Sequence, residues 1–314
     1  MSVRIGMSPG IGTTLSPAEY WQWVELCEDS GIDSIWHSDQ LLGATLEPLT
    51  MLAALAARTT RLRFGTNALV LPFREPLVVA KQLATIDHLS GGRAFPVFGV
   101  GRDSDPYWAA TDRSAGDRGS RTNEALALIG RLLSQDTVDF AGAHLRYRGP
   151  GVRPQPARPM PLWIGGHSAA AIRRTAELGD GWLGGLLTPR NAGETKARIE
   201  AELVRTGRRI ETDHFGVSLP LFIGAPGSPG VIAAKEQFEA RLPAPDRAGL
   251  SQAVAVGWAD HVVSILREYV TAGMSKFVAV PIVRDAAELM DQTRLLAREV
   301  VPRIERGAAA QPTA

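Results

Sequence analysis

Eight short runs rich in β-branched and aromatic residues recur along the chain, and between them the apolar residues shift to helical spacing. The runs are VRIGM (3–7), SIWHS (34–38), LRFGTNALV (62–70), AFPVFGVG (94–101), PLWIGG (161–166), GWLGG (181–185), FGVSLPLFIG (215–224) and KFVAVPI (276–282). Helical patterns fill 17–29, 47–58, 76–89, 119–134, 169–178, 189–206, 258–272 and 286–303. Alternation of this kind pairs strands in parallel through helical crossovers, and eight such units in 314 residues predict an α/β fold of the (β/α)8 TIM-barrel type. Hydrophobic residues make up 45%, enough to fill such a core. The expected organisation is a single domain over 1–306, an inserted region at 225–257 after the seventh strand, and a disordered tail at 307–314. Residues 138–161 read as a small hairpin followed by a proline-rich connector.

Connections entering strands are short, as in DSGID, RTTR, LSGGR and LGD, whereas those leaving strands are long at 40–46, 102–117 and 225–257. In a barrel the long loops gather at the C-terminal ends of the strands, where active sites sit. Three strand ends carry polar groups there. The second offers His37, Asp39 and Gln40; the fourth offers Arg102, Asp103 and Asp105; the fifth runs into GGHSAAA. A strand-end aspartate can also simply cap the next helix. At the fifth, Gly165, Gly166, His167 and Ser168 lead into a helix whose first N–H groups have no intrahelical partner. Such a start holds an anion without a basic side chain, and a plain tight turn with Ser168 as a cap fits the same residues. The third strand is interrupted by Gly65, Thr66 and Asn67, the mark of a bulge, of close ligand approach or of mere irregularity.

Other chemistry is excluded or left unassigned. Thirty-four Lys and Arg balance 33 Asp and Glu with no long block of either sign, so no nucleic-acid footprint is present and the expected partner is a small molecule or another protein. The six histidines are dispersed and no zinc spacing, phosphate-loop lysine motif or serine elbow occurs, so no metal is expected. Cys27, the single cysteine, reads as a small buried hydrophobe. The absence of a leader pattern or membrane-length apolar run predicts a cytoplasmic protein. Trp21, Trp23, Trp36, Trp108 and Phe73 fit a core, a subunit interface or a pocket wall.

Taken together, GIDSIWHSDQ, RLRFGTNALVLPFREPLVVAKQLATIDHLSGGR, GVG, PLWIGGHSAAAIRRTAELGDGW and LREYVTAGMSKFVAVP resemble the luciferase-like flavin and deazaflavin oxidoreductase superfamily over nearly the whole chain. FGTNALVLPFREP and DHFGVSLPL are most similar to coenzyme F420-dependent oxidoreductases of actinobacterial type. The resemblance implies a bacterial-luciferase-like barrel, a homodimer, and a cofactor ring backed by a bulge with a non-proline cis peptide at Asn67–Ala68. It further implies that Gly165, Gly166, His167 and Ser168 hold the cofactor phosphate, with Arg118 or Arg121 assisting. Family members using the deazaflavin commonly carry Asp-His after strand two; here Asp39 is followed by Gln40, which hydrogen-bonds but cannot act as acid or base. His37, two residues from Asp39 on the strand, is one alternative proton carrier and His167 another. The implied activity is hydride transfer between F420, an 8-hydroxy-5-deazaflavin, and a small organic substrate. The alternatives are a reduced-FMN-dependent monooxygenase and a non-catalytic cofactor-binding relative. Arg173, Arg174 and Arg190 stand near the phosphate turn in sequence and are candidates for the acidic tail of F420.

Overall fold

The computed structural model describes residues 2–10, 14–111, 113–241 and 253–304. The 307–314 tail and residues 242–252 of the 225–257 region lie outside them. In chain order the elements are β1 (Arg4–Met7), α1 (Pro17–Glu28), β2 (Ser34–His37), α2 (Pro48–Arg58), β3 (Arg63–Thr66), β4 (Leu69–Val70), α3 (Pro76–Ser90), β5 (Ala94–Phe95) and β6 (Val97–Gly99). There follow α4 (Tyr107–Ala110), α5 (Arg118–Ser134), the strands β7 (Thr137–Ala141) and β8 (Arg146–Pro150), β9 (Trp163–Gly165), α6 (Ala169–Leu178), β10 (Gly181–Gly185) and α7 (Pro189–Thr206). The last are β11 (Phe215–Ile223), α8 (Pro229–Arg241), β12 (Ala255–Gly257), α9 (Ala259–Thr271), β13 (Lys276–Pro281) and α10 (Ala286–Leu295).

Every apolar run became a strand, the third and fourth each in two pieces. Local chemistry sets many helix starts. Ser16 and Glu19 form a reciprocal capping box ahead of α1, Glu47 caps α2 by accepting from the Thr50 N–H, and proline opens α1, α2 and α3. Gly91, at φ 66°, ends α3 in the left-handed conformation. Three elements went beyond the sequence reading: α4 lies in the connection expected at 102–117, and α8 and β12 occupy part of the stretch expected as an inserted region. The last helical pattern does not run evenly to 303; α10 gives way to a π turn at Leu296–Val300, just before Pro302, which brings no N–H to the ladder.

The chain forms two compact units. The first comprises Met1–Trp36, Leu183–Ala201 and Glu211–Ala314. Its parallel strands run in the order β12, β11, β13, β1, β2, with Arg4 opposite Lys276, Val217 opposite Phe277 and Met7 opposite Ile35. Ile5, Met7, Val217, Leu219 and Phe277 are buried in its core. Buried Gln292 of α10 closes the sheet by accepting from Ile223 N–H and donating to the Ile223 carbonyl, at 2.7 and 2.9 Å.

The second unit comprises His37–Trp182 and Glu202–Ile210, and contains every residue named above for the cofactor and the reaction except Arg190, which belongs to the first. Here β3 pairs with β5, and β4, β6 and β9 lie side by side, all parallel. Arg93 locks the incoming ends: its guanidinium donates to the Thr59 hydroxyl and to the carbonyls of Ala56, Thr59 and Leu62, and sits 5.2 Å over the Phe64 ring. The expected hairpin is β7 and β8, antiparallel, with Val138 opposite Gly149.

Candidate active site

The interruption in the third strand is a bulge with a defined geometry. Gly65 pairs with Phe95 and Leu69 with Phe98, so four steps along one strand face three along its neighbour. The side chain of buried Thr66 replaces the missing ladder: its hydroxyl donates to the Val97 carbonyl at 2.7 Å and accepts from the Val97 N–H at 2.9 Å. The Asn67 N–H donates to the His37 carbonyl at 2.7 Å, and the Asn67–Ala68 peptide is cis. The strand interruption therefore marks a bulge, and the expected cis bond is present.

The bulge faces two strand ends without side chains. A Cβ placed on Gly99 would lie 3.5 Å from the Ala68 Cβ, and one placed on Gly165 would lie 3.4 Å from it. Ala68, Gly99 and Gly165 thus form a floor on which only a methyl group projects. Beyond it, Gly166 turns the chain at φ 96°, its carbonyl held by the Trp182 indole N–H at 2.7 Å. Ser168 caps α6 by accepting from the Ala171 N–H. Gly166, His167, Ser168, Ala169 and Ala170 are exposed, so the unpaired N–H groups of the first helical turn face solvent.

Asp39 is engaged rather than open. Its carboxylate, 1% exposed, accepts two hydrogen bonds from the Arg74 guanidinium and one, at 2.8 Å, from the Val70 N–H just after the bulge. Arg74 also donates to Glu47 at 3.0 Å and to the Val70 carbonyl. His37 is buried at the end of β2, and burial lowers its pKa to about 4, against a small opposing pull from Glu47. The imidazole is neutral at pH 7. Gln40 is exposed, with its carbonyl accepting from the Gly43 N–H.

The two arginines named for the phosphate stand in the first turns of α5. Arg118 is paired with Asp103 and donates to the Ala115 carbonyl, while Arg121 Nε pairs with Asp117 at 2.7 Å. Arg118 Nε and Asp117 Oδ1 are buried with no hydrogen-bond partner among the described residues. α5 packs on α6, where buried Arg174 donates to Asn123 at 2.6 Å and to the Gly119 carbonyl at 3.2 Å. Arg174 is thereby a structural tie between the helices, while Arg173 is exposed.

A family model described as luciferase-like monooxygenase matches residues 1–228. The chain belongs to that family. It is 33% identical over 181 residues to an uncharacterised protein of Mycobacterium tuberculosis, covering 56% of this chain and 61% of that one. It is 28% identical over 176 residues to the F420-dependent glucose-6-phosphate dehydrogenase of Kineococcus radiotolerans, covering 54% and 52%. The chain therefore spans less than two thirds of the length of these relatives. Among solved structures, an F420-dependent secondary alcohol dehydrogenase in complex with an F420-acetone adduct aligns with a TM-score of 0.79 at 17% identity, over 97% of this chain and 99% of that one. This likeness bears on the fold, which is the α/β barrel class expected from the strand and helix alternation, in the luciferase-like form that the resemblance implied.

Within this luciferase-like chain the structure brings Asn67, Ala68 and Gly165 together, continues directly into Gly166, His167 and Ser168, and sets Asp39 behind the bulge. Arg118 and Arg121 face Asp103 and Asp117 rather than the turn at 166–168. Sequence reasoning gave no role to Arg74 or Gly99, and marked Thr66 only as part of the interruption. The signal for Arg74 was present in FREP, but a partner 35 residues away in the chain leaves no local trace. No helix among the described residues is long and apolar enough to cross a membrane.

Proposed function

We propose that the chain is an oxidoreductase that transfers a hydride between coenzyme F420 and a small organic substrate. The carrying observation is the cis-bonded bulge at Asn67–Ala68 facing Gly99 and Gly165, because a flat tricyclic ring needs a floor without side chains. The ring would rest on Ala68, Gly99 and Gly165. The phosphate would lie at Gly166, His167 and Ser168 and the free N–H groups of Ala169 and Ala170, where the helix dipole favours an anion. When bound, the deazaflavin supplies two-electron hydride chemistry. The protein contributes position: Asp39 and Arg74 hold the Val70 backbone, and with it the bulge, in place. Gln40 orients a substrate oxygen by hydrogen bonding. A neutral, buried His37 serves packing and electrostatics more readily than proton donation. Exposed His167 is the remaining proton carrier of the two named. Homologues named as F420-dependent support this reading.

The family description favours a second reading, a reduced-FMN-dependent monooxygenase, since the same floor and turn accept the ring and phosphate of FMN. Anaerobic fluorescence titration separates them. Micromolar or tighter F420 binding, with clearly weaker binding of oxidised and reduced FMN, is the expected result. Tight FMN binding with negligible F420 binding would replace the leading reading by the monooxygenase. We further propose a homodimer, to be checked by sedimentation.

A further inference from the structure

Next to the glycine floor, three loops of the second unit meet in an apolar cluster. Phe73, three residues after β4, packs its ring 4.4 Å from that of Trp108 and 5.2 Å edge-on from that of Tyr107. The Trp108 indole donates to the Arg102 carbonyl, and the Tyr107 hydroxyl accepts from the Leu42 N–H, which ties the loop after β2 to α4. A Cβ on Gly101, at φ 72°, would fall 2.9 Å from Val70 and 3.6 Å from Phe73. The aromatic cluster therefore stands two residues further along the same pair of strands that carry Ala68 and Gly99. The tied loop exposes three leucines: Leu41 at 46%, Leu42 at 74% and Leu46 at 50%. A soluble surface gains nothing from three leucines so close in sequence beside half-buried aromatic rings unless something apolar covers them.

The charges of the same loops point the same way. The described residues of 37–47, 70–75 and 101–121 carry six carboxylates against five arginines. Four of those arginines are matched: Arg74 with Asp39 and Glu47, Arg113 with Glu75, Arg118 with Asp103 and Arg121 with Asp117. Only Arg102 is left with no ion pair recorded among the described residues, and its own backbone N–H is held by Asp105. An incoming phosphate or carboxylate would meet net negative charge with a single cation to offset it.

We propose that this site takes a neutral, largely apolar small molecule, seated against Phe73, Trp108 and the leucines of 41–46, and that it does not take phosphorylated or carboxylate substrates. The inference rests on the cofactor reading for the reaction, but its binding test does not need the cofactor. Two outcomes follow for relatives such as a glucose-6-phosphate dehydrogenase: the shared fold is kept, and the substrate class differs.

The test uses the full chain, with and without F420, titrated with the neutral dye Nile red and then with 2-nonanone or glucose 6-phosphate as competitor. The ketone is expected to displace the dye and the sugar phosphate to have no effect. The double variant Leu42→Glu with Leu46→Glu, both exposed, is expected to bind dye at least ten-fold more weakly while F420 affinity stays within two-fold of the parent. Displacement by glucose 6-phosphate that is abolished in Arg102→Met would overturn the proposal. So would dye binding untouched by the double variant, and a shift from dimer to monomer in that variant would then identify the leucines as an interface between copies of this chain. Dye binding with the expected competition but no F420 binding would sink the cofactor reading and leave this one standing.

Discussion

His37 shows how one residue's environment becomes a property of the fold. Its pKa falls from 6.5 to about 4 because burial penalises the imidazolium. Between those values the unfolded chain binds a proton that the folded chain does not, so stability is complete above about pH 6.5 and declines as pH falls toward 4. The full loss is on the order of 3 kcal/mol. Urea titrations from pH 7 to 4 are expected to show that decline, and His37→Gln to flatten it; an unchanged acid limb would mean that His37 is not the group responsible. Gly166 makes a second case at this scale. Its φ of 96° disfavours any side chain, and its surface must stay open for an anion to approach. Gly166→Val is expected to weaken F420 binding about ten-fold to a hundred-fold, or roughly 1.5 to 3 kcal/mol, with far-UV circular dichroism unchanged. A folded variant with parental affinity would move the anion site elsewhere.

At the scale of elements, the bulge depends on two side chains that act as backbone. Thr66 satisfies both polar groups of Val97, so Thr66→Val removes two buried hydrogen bonds at constant shape and is expected to cost about 2 kcal/mol by denaturant unfolding. The Asp39 and Arg74 pair, 1% and 12% exposed, is the other support. Asp39→Asn leaves a guanidinium half-matched in a largely buried place, and a loss of about 3 kcal/mol is expected together with weaker F420 binding. If Asp39→Asn lowered turnover alone, with stability and affinity intact, Asp39 would act directly in the reaction rather than in holding the bulge. The interruption itself was legible, since Gly65, Thr66 and Asn67 break an otherwise apolar run, although a mere irregularity of the strand fitted the same residues. Its support was not, because Val97 and Arg74 reach it only through tertiary pairing.

For the whole molecule, binding of the proposed cofactor to the folded state alone must raise stability by mass action. At a free F420 concentration about 100 times its dissociation constant the gain is roughly 2.7 kcal/mol, which a thermal melt reads as a rise of a few degrees. The Gly166→Val chain should show a smaller rise at the same concentration. FMN at equal concentration should shift the parent less than F420 does; the reverse order would favour the monooxygenase reading.

Periodicity and punctuation along the chain were enough to determine the eight apolar strand runs and the helices between them, the hairpin within 138–161, the helix start after Ser168 and the place where the third strand is interrupted, because each follows from interactions within a few residues. The resemblance carried by the sequence added the cis bond and the family. What tertiary structure alone decided is the state of the chemistry: that Asp39 is held by Arg74, that His37 is neutral in the core, that Arg118 and Arg121 already face carboxylates, and that Gly99 joins Ala68 and Gly165 in one floor. Those facts depend on groups distant in sequence meeting in a medium of low polarity, where a partner or its absence changes a side chain's charge and reach. α8 was passed over for a related reason: its apolar residues Val231, Ala234 and Phe238 are buried against Phe222, Val256 and Ile282, and without that surface they make no conspicuous stripe.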